Sequence, residues 1–199
     1  MKRQLGLLFI VILLINPLPS FAATPLDTVR KEINKVLDVL RDNSLKGESG
    51  KKIKKSKIRT IANEIFDYGE LSRRTLELNW KKLDAGQQKE FIALYAKLLE
   101  NTYADKILSY SNEKVIYGKE RQMSGSTVEV QTTIETAEHK TIPINYRVIL
   151  KGGEWKIYDV VIENVSLINN YRAQFREILA SKPPSALLET LREKVGGKD

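Results

Sequence analysis

The 199-residue chain has no cysteine, which excludes disulfides, thiolate metal sites and a lipid-modified N-terminal cysteine. It has one histidine, His139, so no histidine or cysteine set exists to hold zinc, and neither metal nor cofactor is expected. A Gly-x-Ser-x-Gly elbow, a P-loop and a glycine-rich dinucleotide turn are all missing, which removes the common nucleophile and nucleotide signatures. There is no internal repeat and no low-complexity segment. The only long apolar run, 5–15, falls well short of the roughly 20 residues that span a bilayer.

That run follows Met1-Lys2-Arg3, breaks at Asn16-Pro17 and leads to Ser20-Phe21-Ala22, the three-part pattern of a secretory signal peptide. Residues 1–22 are therefore expected to be a cleaved leader and 23–199 a single exported domain, with the bacterial periplasm as the best-fitting compartment. Loss of Lys2 and Arg3 lowers the formal charge from +8 to about +6. Outside the cytoplasm a basic protein of this kind is expected to meet anionic lipid headgroups or acidic protein patches rather than nucleic acid.

Apolar residues recur at Leu26, Val29, Ile33, Val36, Leu37 and Leu40, the spacing of an amphipathic helix. A loop over 43–50 precedes a second, lysine-rich helix with Ile58, Ile61, Ile65 and Phe66 on one face. A third is expected over 68–80, and Asp84 with Gln87 opens a long fourth in the manner of a capping box. After Tyr110 the period shortens to two. Segments 115–117, 127–136, 141–150 and 154–162 read as an antiparallel meander, with Glu138-His139 and Gly152-Gly153 at hairpins. Helices over 166–179 and from Pro183-Pro184 through Leu191 close an α+β domain.

The last long strand is apolar on both sides. Strict alternation puts Tyr158, Val160 and Ile162 on one face and Trp155, Ile157, Asp159 and Val161 on the other. Either helices cover both faces or one face lines an apolar cavity. Asp159 is the best candidate for a catalytic acid or base, since apolar surroundings raise a carboxyl pKa. The plainer alternative is a structural carboxylate bonded to backbone or to an arginine. Lys52, Lys54 and Lys55, extended by Arg73 and Arg74, form either an ordinary solvated face or a docking surface for partners. On the closing helix Tyr171, Phe175, Ile178 and Leu179 make the buried stripe, leaving Arg172 and Gln174 to hold the junction of strand and helix.

Three stretches, FDYGELSRRTLELNW, GQQKEFIALYAKLLENTYADKILSY and WKIYDVVIENVSLINNYRAQFREIL, resemble in order and spacing the MlaC-type, or toluene-tolerance auxiliary, family of periplasmic phospholipid-binding proteins. The likeness runs over nearly all of the chain after the leader. It implies an NTF2-like curved antiparallel sheet of about four strands, wrapped by N-terminal and C-terminal helices around a deep apolar pocket for acyl chains, with the headgroup at the surface. It further implies a non-enzymatic carrier, expected to be a monomer. Such a carrier moves glycerophospholipid between an outer-membrane lipoprotein complex and an inner-membrane ABC transporter complex and so supports outer-membrane lipid asymmetry. Where family members often have glycine before Val-Ser this chain has Asn164, and small residues common in the middle helix are replaced by Thr75, Leu76, Glu77 and Leu78.

Two acyl chains of some thirty methylenes represent roughly 24 kcal/mol of exposure to water at about 0.8 kcal/mol each, so a carrier must offer matching apolar lining. The candidates are Tyr146, Val148, Tyr158, Val160, Ile162, Val165 and Leu167 from the sheet and its exit, with Phe91, Leu94, Tyr95, Leu98 and Tyr103 from the long helix. Two other readings stay open: an NTF2-like enzyme using Asp159, and a carrier of a hopanoid or other isoprenoid.

Overall fold

The computed structural model describes residues 23–110, 113–136 and 138–197; the expected leader lies outside them. Helices α1 (Pro25–Arg41), α2 (Gly47–Ile65), α3 (Tyr68–Leu76) and α4 (Ala85–Leu108) precede strands β1 (Lys114–Gln122), β2 (Thr127–Glu135), β3 (Thr141–Lys151), β4 (Glu154–Ile162) and β5 (Val165–Ser166). Helices α5 (Leu167–Ser181) and α6 (Pro184–Gly196) follow. The sheet is antiparallel in the order β1-β2-β3-β4-β5. This is the expected α+β architecture, with one more short strand than the alternation predicted.

Local chemistry sets the helix starts. Thr24 accepts the amide of Asp27 to open α1, and Asp84 and Gln87 complete a reciprocal capping box at α4. Helix α2 begins earlier than expected, so Gly50 lies within it rather than in a loop. A Cβ at Gly50 would come within 2.3 Å of the Leu45 backbone, so only glycine admits that approach.

The third helix is shorter than predicted. It stops at Leu76 and a 3₁₀ turn, Glu77–Lys82, follows. Glu77 takes φ 50°, a conformation that ends an α-helix. The break is held from outside, because Arg172 of α5 donates to the Arg74 carbonyl (2.7 Å) and pairs with Glu77 (3.2 Å).

Gly152 and Gly153 both have positive φ in the β3–β4 turn, and Glu163 and Asn164 do so before β5. The glycine pair suits the tight hairpin the sequence predicted there; the turn at Glu163 and Asn164 was not predicted. One buried apolar cluster joins the sheet to the helices, with contributions from Val29, Leu71, Phe91, Val130, Val148 and Leu191.

Candidate functional site

Three adjacent rows cross the first four strands in register. Gln122, Val128, Val148 and Ile157 form one; Arg121, Glu129, Arg147 and Asp159 form the next; Glu120, Val130, Tyr146 and Val160 form the third. Neighbouring positions on a strand point to opposite faces, so the first and third rows share a face and the middle row lies on the other. Val128, Val130, Val148, Ile157 and Val160 are all buried in the common core.

The pairing corrects the expected alternation along β4. Val148 lies opposite Ile157 and Arg147 opposite Asp159, so Tyr158 is the extra residue of a β-bulge. Ile157 consequently joins Val160 and Ile162 on the apolar face instead of facing the other way with Asp159. A sequence period of two has no means of registering an inserted residue.

The middle row alternates charge. Arg121 Nη2 donates to Glu129 Oε1 (2.9 Å), Arg147 Nε donates to Glu129 Oε2 (3.2 Å), and Arg147 Nη1 donates to Asp159 Oδ2 (3.0 Å). Burial pushes the Glu129 carboxyl up, but the hydrogen bonds from the two arginines outweigh it and hold the group below its ordinary value. Asp159 is fully buried. Its Oδ2 also accepts from Ser166 Oγ (2.6 Å) and its Oδ1 from the Ile168 amide (3.1 Å). Ser166 in turn accepts from the Asn169 amide, which caps α5. Asp159 thus ties the bulged strand to the start of that helix.

Of the twelve residues predicted to contact lipid, eleven lie in or against the single core cluster: Phe91, Leu94, Tyr95, Leu98, Tyr103, Tyr146, Val148, Tyr158, Val160, Ile162 and Leu167. They occupy different settings within it. Phe91 and Tyr95 pack by ring edges against Tyr171 and Phe175 of α5, at centroid distances of 5.2–5.6 Å, an aromatic seam between helices. Burial drives the Tyr95 and Tyr146 phenols above their ordinary values. Val165 lies apart from these eleven: it is 56% exposed, because β5 is only two residues long and turns at once into α5. Val128 and Val130 share this cluster and were not among the candidates, although their place in an alternating β2 segment carried the signal.

The five predicted docking cations also separate. Lys54 donates to the Leu40 carbonyl (2.6 Å), joining α2 to α1. Arg73 and Arg74 both bind Glu70, and Arg74 stacks over the Tyr158 ring at 4.2 Å. Lys52 and Lys55 make no ion pair among the described residues.

Two surface recesses are defined among the described residues. One, of about 270 Å³, is lined by Leu45, Gly47, Lys51, Lys54, Asp105, Leu108 and Ser109. The other, of about 300 Å³, lies among Asn63, Glu64, Phe66, Asp67, Tyr68, Lys151 and Lys156. Neither is lined by Val128, Val130, Val148, Ile157 or Val160, which are buried in the common core, although Phe66 of the second pairs by its backbone with Ile157.

Residues 30–193 match the family model described as MlaC protein. The chain belongs to the MlaC family. It is 26% identical over 145 residues to the intermembrane phospholipid transport system binding protein MlaC of Haemophilus influenzae, covering 68% of this chain and 67% of that one. To the toluene tolerance protein ttg2D of Pseudomonas putida it is 22% identical over 172 residues, covering 85% and 80%. The fold matches the phospholipid-binding protein of Ralstonia solanacearum, solved in complex with a phospholipid, with TM-score 0.77 at 22% identity over 88% of this chain and 98% of that one. This MlaC-family chain therefore shares its fold with that protein.

Proposed function

We propose that this protein is a periplasmic phospholipid carrier that buries acyl chains against the apolar rows of its sheet and trades its cargo between membrane complexes. The observation that carries the reading is the family match over residues 30–193, falling on a fold whose apolar rows form a continuous interior surface. The phospholipid named for the Haemophilus relative and present in the Ralstonia structure supports the choice of ligand. Among the described residues no helix is long and apolar enough to cross a membrane. Val128, Val130, Tyr146, Val148, Ile157 and Val160 are the wall we assign to the acyl chains, with Val165 at its mouth.

Pockets for ligands of drug size occupy roughly 300–1,000 Å³, so the closed interior has to open for loading. Parting the helices from the apolar rows exchanges side-chain contacts for acyl contacts of the same kind, at about 25 cal/mol per Å² on either side. Such near balance lets a carrier both take up and release lipid. On this reading the donors and acceptors are an inner-membrane ABC transporter complex and an outer-membrane lipoprotein complex. The oxygens of Asp159 are already bound to Arg147, Ser166 and the Ile168 amide, which favours an anchor over a general acid or base.

Native mass spectrometry of the protein purified without added lipid tests the proposal. A bound diacyl glycerophospholipid is expected; a protein that emerges empty and takes up no lipid from vesicles would sink it. Extraction of a hopanoid or other isoprenoid instead would redirect the ligand assignment.

A further inference from the structure

Helix α2 is tied to the rest of the protein along one side only. Ile65 and Gly50 are buried, and Lys54 reaches back to the Leu40 carbonyl. Over the rest of its first three turns Lys51, Lys52, Ile53, Ser56 and Lys57 are exposed and Lys55 is half-buried, and the charge is unusually uniform. Residues 46–57 hold six lysines and a single acid, Glu48, and Ile53 stands among them 43% exposed. By helical spacing Lys52 and Lys55 share one side, while Lys57 lies one turn beyond Ile53. Lys51 has only a loose contact with Asp105 at 3.9 Å. Lys52 and Lys55 have no ion pair among the described residues, in contrast to Arg59 farther along, which is bound to Glu100 at 2.6 Å.

We infer that this face of α2 rests on an anionic lipid bilayer, with Ile53 entering the headgroup layer and the lysines meeting lipid phosphates. The composition selects a bilayer over a protein. Protein interfaces are enriched in aromatic residues and arginine and depleted in lysine, whereas this face has no aromatic and its one arginine is paired internally. Lysine ammoniums on flexible stems follow mobile phosphates, while their methylene stems and Ile53 lie in the interfacial zone. The neighbouring recess sets Leu45 and Leu108 beside Lys51 and Lys54, with Asp105 the one acid in its lining. Contact through α2 would hold a carrier at the surface from which its cargo is drawn, so the inference rests on the carrier reading for its purpose, though not for its test.

The test is co-flotation of the intact mature protein with vesicles of pure phosphatidylcholine and with vesicles containing roughly one quarter phosphatidylglycerol. Binding is expected to the second and not the first, and to weaken as salt is raised. The Lys52→Glu/Lys55→Glu variant should bind on the order of 30-fold more weakly or worse. Its thermal unfolding and its bound lipid by native mass spectrometry should stay as in the wild type. Ile53→Ser should weaken binding by a smaller factor that salt does not remove.

Wild-type indifference to phosphatidylglycerol, or flotation unchanged by the double reversal, overturns the inference even where lipid remains bound. A protein that floats as expected but never holds lipid leaves this inference standing and overturns the carrier reading instead. If the double reversal abolishes exchange with a membrane transport complex held in purely zwitterionic vesicles, the face belongs to an acidic protein partner and the bilayer assignment is overturned.

Discussion

The apolar rows and the charged row of the sheet lie side by side on the same strands but hold the protein by different physics. Contacts of Val128, Val130, Val148, Ile157 and Val160 are non-directional, and any methylene-rich surface of similar shape can supply them. The Arg121–Glu129–Arg147–Asp159 row depends on donor and acceptor geometry fixed to a few tenths of an ångström. One set can change partners without losing its stabilisation; the other cannot. The proposed carrier function calls for both, because a surface that accepts cargo has to be exchangeable while the strand register and the helix beside it stay fixed.

That division is broken most severely by putting charge into the exchangeable surface. Val148 is fully buried, and Val148→Glu should destabilise by about 4 kcal/mol or more, since no partner awaits the carboxylate. The loss would be measured by urea or thermal unfolding. Asp159→Ala should cost about 2–4 kcal/mol, less than Val148→Glu, because the orphaned Arg147 keeps Glu129 and is itself a quarter exposed. If the directional account is right, Asp159→Ala and Arg147→Ala combined will fall clearly short of the sum of the single losses. Additive losses would mean that the row is a set of independent surface charges.

How much of this was legible beforehand depended on the kind of interaction. The α+β order, the long capped helix and the Gly152-Gly153 turn all rest on local rules, and these three hold in the structure. The β4 bulge and the end of α3 at Leu76 were not legible, because each is set by a distant segment: the register of β3 in one case, the reach of Arg172 to Arg74 in the other. Asp159 could be weighed as an anchor from sequence alone, yet its partners Arg147 and Ser166 become visible only when β3, β4 and β5 are assembled. Assignment of apolar residues to a wall suffers from the same limit, since Phe91 and Val148 carry equal hydrophobic signal while one serves a helix seam and the other a sheet row.

Val165 gives the smallest expected change in stability and the finest division between wall and core. Since its side chain is 56% exposed, Val165→Glu should shift unfolding by no more than about 0.5 kcal/mol. An exposed valine at the end of the apolar face, opposite Ile162 in register, is nevertheless well placed to be covered by an acyl chain entering or leaving, and a carboxylate there would meet that chain with its full hydration cost. Lipid loading, read by native mass spectrometry against the wild type, should therefore fall while the unfolding midpoint stays in place. Loading and stability both unchanged would make Val165 an ordinary surface residue and move the mouth of the wall elsewhere. A loss of both would mean instead that the strand exit is part of the fixed frame that Asp159 holds.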